Sequence, residues 1–325
     1  MAAHSRPRAK TKCKRNGARR FWTKDTTPDH DPVIINARDL AVLRHLSEHR
    51  LLDTKLIHKL MGGSYRALAR RLRQLALNGY IDRPLAQINY YQGGAGSDHL
   101  VIALSTKGAR TLTHLSDTPY ARHLTRKNTR IRRPFIDHTL ATARFMVDLE
   151  CSCRTNGNTH LLGSQSVLAR APYQTRSQNR ATMGWHTRIN DGRTLERVAI
   201  IPDKMFSILN ATTDDVAHFC LETDRNSMPI VSNSLKRSSI KRKILAYREV
   251  FRTRSHERVF GWANMRVIIE TTTSEHAENI KQCIRDVYGN HKTGMLLITT
   301  EQQTADQNLF DLEFETAFGQ SARLF

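Results

Sequence analysis

One helix-period segment constrains this chain more than any other. Leu68, Leu72 and Leu75 fall at i, i+4 and i+7, so a helix here buries one stripe. Arg66, Arg70 and Arg73 repeat that spacing on another face, with Arg71 and Gln74 beside them. Such a helix rests its leucines on a core and turns its guanidinium groups outward. Their forks suit guanine edges and phosphates in a DNA major groove. Ser64 supplies the N-cap, and Gly79 stops the helix near Asn78. The plain alternative is a solvated arginine-rich helix.

The flanking pattern weighs against that alternative. Asn36 caps an earlier helix carrying Leu40, Val42, Leu43 and Leu46. Asp53 or Thr54 caps a short second helix with Leu56, Ile57 and Leu60, and Gly62-Gly63 turns the chain. After the arginine helix, Tyr80 to Pro84 reads as a short strand. Ile88, Tyr90 and Tyr91 continue as strand, Gly93-Gly94-Ala95-Gly96 turns, and Leu100 to Leu104 returns. Thr106-Lys107-Gly108 opens a further helix through Leu115. Three helices and a hairpin predict a winged helix-turn-helix over residues 36–116. Its expected DNA contacts are Ser64, Arg66, Arg70, Arg71 and Arg73.

Charge points to the same partner. The 325 residues, enough for two domains, hold 51 Lys plus Arg against 30 Asp plus Glu, a formal charge of +21. That surplus attracts polyanions, with salt-dependent binding through counterion release. Residues 1–35 read as a disordered basic arm, and 117–135 as a basic linker whose Arg126 and Arg130 join the expected DNA contacts. Double-stranded DNA is the expected partner, and RNA the weaker alternative. No stretch approaches the ~18 apolar residues of a membrane span, and the amino terminus lacks a secretory apolar core. Cys13, Cys151, Cys153, Cys220 and Cys283 form no paired framework. They predict reduced thiols in the cytoplasm, alongside plasmid or nucleoid DNA. The lone Cys151-x-Cys153 has no second pair at zinc-finger spacing.

The second domain, residues 136–325, opens on a helix from Ile136 through Leu149, with His138 near its start in what reads as a structural role. Leu161-Leu162 suggests a strand, and residues 170–194 read as a long surface loop. Val198 to Ile201 is a β-branched run ending in Pro202-Asp203. Lys204 to Leu209 and Val216 to Asp224 are strands around the turn Asn210 to Asp215. Alternation puts His218, Cys220, Glu222 and Asp224 on one face, and Phe219 and Leu221 on the other. A hairpin therefore brings Asp203 near Glu222 and Asp224. Adjacent acids call for a neutralising partner, and Mg²⁺ prefers carboxylate oxygens. Beside a phosphodiester, Mg²⁺ polarises the phosphoryl group and activates water. The plain alternative is a solvated strand end with Asp224 paired to Arg225. Leu235 to Phe251 is a basic helix whose Lys241 joins the DNA contacts, and Lys243 and Tyr247 lie one turn apart on it. A strand at Arg266 to Glu270, a helix from Glu275 to Tyr288 capped by Ser274, and a strand at Met295 to Thr299 complete an α/β layer arrangement.

In this order of pieces the chain resembles the replication-relaxation family of plasmid and mobile-element proteins. The resemblance rests on the block Ala37 to Leu115, on His138, and on Ile201-Pro202-Asp203. It continues through Phe219 to Arg225 and through Lys243 with Tyr247. It implies an α/β (α+β) protein: a winged helix-turn-helix, then a restriction-endonuclease-like domain of the PD-(D/E)XK type. It also implies a role in plasmid replication or DNA relaxation. Asp203 and Glu222 would be the metal-binding acids, with Mg²⁺ as cofactor, and Asp224 and Lys243 would complete the catalytic set. The nuclease pattern wants lysine two residues after the second acid, where this chain has Asp224. Lys243 would have to supply that amine from the neighbouring helix. Otherwise the domain is a degenerate, non-cleaving one, and the protein a replication initiator or transcriptional regulator. Tyr247 as a nicking nucleophile is a further alternative, without the paired tyrosines or histidine triad that would accompany it. No heptad seam marks a dimer interface, and a homodimer is left open.

Overall fold

The computed structural model describes residues 32–87, 99–116, 128, 131–177, 183–192 and 194–324. Most of the expected basic arm, the hairpin tip at 93–96 with the strand at 88–91, and most of the linker, including Arg126 and Arg130, lie outside the described residues.

The amino-terminal unit is built from locally capped helices. Asn36 and Asp39 exchange hydrogen bonds as a capping box for α1 (Ala37–His49). Asp53 caps α2 (Thr54–Met61), and Ser64 caps α3 (Tyr65–Leu77). Gly62 and Gly63 turn between α2 and α3 at φ of +60° and +77°, which side chains resist. Leu68, Leu72 and Leu75 of α3 pack against Val42, Leu43, Leu46, Leu56, Ile57 and Leu60. The expected strand at 80–84 shrinks to β2 (Ile81–Asp82).

One strand was not foreseen. β1 (Leu51–Asp53), between α1 and α2, pairs antiparallel with β3 (Val101–Leu104), placing Leu51 and Leu52 opposite Ala103 and Ile102. With β2 the sheet order is β1-β3-β2. After β3, α4 (Thr106–Ser116) passes so close to the Tyr80 carbonyl that a Cβ at Gly108 would lie 2.1 Å from its oxygen.

The two units share a helix. α5 (Arg133–Asn156) starts with proline in its first turn, earlier than Ile136, and runs on past Leu149. Its Ala143 and Val147 join the amino-terminal core, while Phe145, Met146, Leu149 and Cys153 join a core of the second sheet.

That sheet has the order β12-β11-β10-β9-β8-β7-β4. Its strands are β4 (Thr159–Leu162), β7 (Lys204–Asn210), β8 (Val216–Asp224), β9 (Arg266–Thr271), β10 (Leu296–Thr300), β11 (Phe314–Glu315) and β12 (Ser321–Ala322). β8, β9 and β10 run parallel, and the other pairings are antiparallel. α5 covers one face. α8 (Ile240–Arg252) and α10 (Ser274–Tyr288) cover the other. Thr273, not Ser274, caps α10.

Residues 170–194 are not the loop the sequence suggests. They carry the end of α6 (Ser164–Arg170), then α7 (Tyr173–Ser177) and β5 (Trp185–Asn190). β5 pairs with β6 (Leu195–Ile200) as a separate two-stranded ribbon. In β5 only Trp185 and Ile189 are buried. Trp185 meets Phe260, in α9 (Ser255–Phe260), and Trp262 edge-on. The ribbon's outer face is polar, which gives the segment a loop-like composition.

Glu270 in β9 is buried on the opposite face of the sheet, the face that α5 covers. Thr304, at the end of α11 (Glu301–Thr304), donates to its Oε1 at 2.6 Å, while Oε2 has no partner. Burial pushes this carboxyl up to about 7. The folded state thus holds a proton that the unfolded chain releases near 4.5, so stability falls as pH rises between those values. Glu270→Gln is expected to leave stability at pH 4.5 nearly unchanged and to raise it by about 3 kcal/mol at pH 8. Urea melts at the two pH values check this.

Candidate functional site

The outer face of α3 carries four of the expected contacts, and they divide. Arg66, Arg70 and Arg73 are exposed and have no hydrogen bond or ion pair among the described residues. Ser64 is exposed at the cap, its hydroxyl accepting from Ala67 N. Arg71 is already engaged. Its Nε lies 2.9 Å from Asp39 Oδ1, one terminal nitrogen lies 2.5 Å from Oδ2, and the same nitrogen donates to the Ile34 carbonyl. Asp39 is buried, so this bidentate pair ties α3 to the start of α1. Arg71 therefore serves the fold, against the expectation that it faces DNA.

The second cluster sits at the carboxyl end of β8. Alternation along β8 turns Cys220 toward α8 and α10, and Phe219 and Leu221 toward α5. Glu222 follows Cys220 and meets α8. Lys243 Nζ lies 2.5 Å from its Oε2, and Tyr247 Oη donates to Oε1 at 2.5 Å. Asp203, just before β7, accepts from Thr223 N at 2.8 Å through Oδ2 and pairs with His138 Nε2 at 3.0 Å through Oδ1. Thr142, one turn beyond His138 on α5, donates to the Thr223 hydroxyl. The cluster thus joins α5, the sheet and α8.

Its electrostatics are those of a nearly self-neutralised set. Burial pushes the Asp203 carboxyl up, but the His138 hydrogen bond, the Lys243 charge and the Thr223 N–H outweigh it and hold it below the usual range. The hydrogen bond to Asp203 raises His138 against the opposing effect of burial. Lys243 loses hydration, yet Glu222 and Asp203 together keep it more basic than a free lysine. Burial and the neighbouring Glu222 drive the Tyr247 phenol well up. Fully buried and bonded to Glu222, Tyr247 is no exposed nicking nucleophile.

Asp224 shows no hydrogen bond to this cluster, although its charge helps to keep Lys243 basic. Its Oδ2 pairs with His276 Nε2 of α10 at 2.5 Å, both groups being buried. Arg225, the local partner considered for Asp224, reaches Asp137 instead. Oxygen donors of this kind suit Mg²⁺. Each of the four carboxylate oxygens of Asp203 and Glu222, however, already accepts from a protein donor. As folded, the pair does not fit a cation. Lys241, in the first turn of α8, is half-buried.

The sequence singles out His138 and Tyr247 but not these partners, and leaves His276 unassigned. The signal available for His276 was its position in the first turn of a helix following a parallel strand, where it meets the end of the neighbouring strand.

A family model described as Replication-relaxation matches residues 43–263, more than half of the chain. The match spans both α3 and the Asp203–Glu222–Lys243 cluster. No curated protein and no solved structure matches the chain. Among the described residues, no helix is long and apolar enough to cross a membrane.

Proposed function

Since the chain belongs to the replication-relaxation family, we propose that it is a duplex-DNA-binding protein acting in the replication or relaxation of a plasmid or mobile element. The amino-terminal unit is a winged helix-turn-helix in this reading, and α3 is its recognition helix. The carrying observation is the division among the arginines of α3. Arg71 has a buried partner, while Arg66, Arg70 and Arg73 have none among the described residues. Three guanidinium groups on one exposed face, unpaired among the described residues, are poised for phosphates and base edges. The α1–α2 pair beneath α3 supplies the support that such a helix needs in the groove. Binding of a duplex by full-length protein, and its loss when these three arginines are replaced, tests the reading.

A second reading is favoured by Lys243. Its amine reaches Glu222 from α8, the position needed to replace the lysine that Asp224 displaces. This supports a metal-dependent nicking activity in which Asp203 and Glu222 take up Mg²⁺. That uptake requires release of Lys243 and His138 from their carboxylates. Asp203→Ala and Glu222→Gln are expected to abolish Mg²⁺-dependent nicking of supercoiled plasmid while duplex binding persists. If the wild-type protein retards duplex DNA and never cuts it with Mg²⁺ or Mn²⁺ present, the cluster is structural and the protein a non-cleaving initiator or regulator.

A further inference from the structure

We propose that His45, His49 and Glu150 form a zinc-binding site that clamps α1 to α5. His45 and His49 lie four residues apart, on one face of α1, and Glu150 faces them from α5. One ligand atom from each gathers within 4.8 Å of the others, the only such group of three or more His, Cys, Asp or Glu among the described residues.

The distances match a cation better than direct bonding. Glu150 Oε2 lies 3.7 Å from His45 Nδ1 and 3.8 Å from His49 Nε2, too far for hydrogen bonds. Ligand atoms about 2.0–2.1 Å from a tetrahedral zinc stand roughly 3.3–3.5 Å apart, so the two Glu150 distances need to contract by a few tenths of an ångström, and the two imidazole atoms, within 4.8 Å of each other, by up to about 1.5 Å, within reach of side-chain rotation. His49 supplies an independent observation. It is 3% exposed, and neither ring nitrogen has a hydrogen-bond partner. A buried, unpartnered imidazole is costly in a folded protein, and coordination through Nε2 removes part of that cost.

The surroundings complete the case. Arg154 holds the other Glu150 oxygen at 2.5 Å, orienting the carboxylate from outside the ligand set. Glu48, nearby, is engaged by Lys204 and is not a fourth ligand. An open cleft of about 620 Å³, lined also by Arg44 and His160, leaves solvent as the fourth ligand. Two imidazoles and one carboxylate favour zinc over Mg²⁺ or Ca²⁺, which prefer oxygen. The clamp would fix the unit bearing Arg66, Arg70 and Arg73 against the seven-stranded sheet. It stands independently of the DNA-binding and nicking readings.

Tag-free, full-length protein stripped with EDTA is titrated with Zn²⁺ against a chromophoric chelator, and with Co²⁺ for its visible absorption. One equivalent of zinc, and a tetrahedral Co²⁺ spectrum, are expected. His45→Gln, of similar size at a position only 17% exposed, and Glu150→Gln should each weaken binding by about 100-fold or more. Zinc should raise the melting temperature of the wild type and leave that of both variants unmoved. Circular dichroism confirms that the variants fold. Absence of stoichiometric zinc uptake by the wild type overturns the proposal, as does wild-type affinity in both variants.

Discussion

Replacing Lys243 with methionine is expected to destabilise the protein by about 3–5 kcal/mol at neutral pH, the range for removing one partner of a buried ion pair. Glu222 is 3% exposed, and after the substitution its remaining donor is the Tyr247 hydroxyl. Asp203 would also lose a neighbouring positive charge that helps hold its pKa down. The loss depends on pH in a defined direction. Burial already raises Glu222 above its ordinary value near 4.5, and removing Lys243 raises it further. A raised carboxyl destabilises the fold increasingly as pH climbs above 4.5, so the deficit of Lys243→Met should be small at pH 4.5 and grow toward pH 8. Adding Glu222→Gln should recover much of the loss, because no unpaired buried charge then remains. A double-mutant cycle by urea denaturation gives the coupling. A change under 1 kcal/mol in Lys243→Met at neutral pH would mean that Glu222 is not held as a charged group by this amine.

What the sequence made legible was local. Asn36, Asp53 and Ser64 cap the helices they precede, since a cap bonds to an amide within three residues. The leucine stripe of α3 and the alternation of β8 follow from helix and strand periods alone. Partners distant in the chain were not legible. Arg71 shares the spacing and character of its neighbours, but its partner Asp39 lies 32 residues earlier. Asp224 finds His276 52 residues later, so grouping it with Asp203 and Glu222 followed from strand proximity alone. β5 escaped because a two-stranded ribbon with one solvated face needs few apolar residues. His45 and His49 carried a readable i, i+4 spacing, but their third member arrives only when α5 packs on α1.

Loss of DNA binding from the α3 face is the other large effect expected. Each well-formed bidentate contact to a base contributes about 1–3 kcal/mol, and a phosphate contact adds about 0.9 to the salt slope. Replacing Arg66, Arg70 and Arg73 together with alanine should therefore weaken binding by about 100-fold or more at moderate salt. These side chains are exposed and unpaired among the described residues, so the fold should be untouched. If they touch only phosphates, the loss is uniform across sequences. If they read bases, discrimination between duplexes falls as well.

Bulk charge is the competing explanation, because the chain carries +21 overall. Lys236, Arg252 and Arg254 offer a matched control. Their side chains are 79%, 69% and 72% exposed and lie outside the amino-terminal unit. Replacing them removes the same number of positive charges. The decisive measurement is fluorescence anisotropy of full-length protein on duplex DNA across a salt series, comparing wild type with the two triple variants. The α3 variant should lose about 100-fold or more in affinity and flatten the salt slope by about three, the control only a few-fold. Equal losses in both variants, or no duplex binding by the wild type, would contradict the assignment of α3 as the DNA-reading helix.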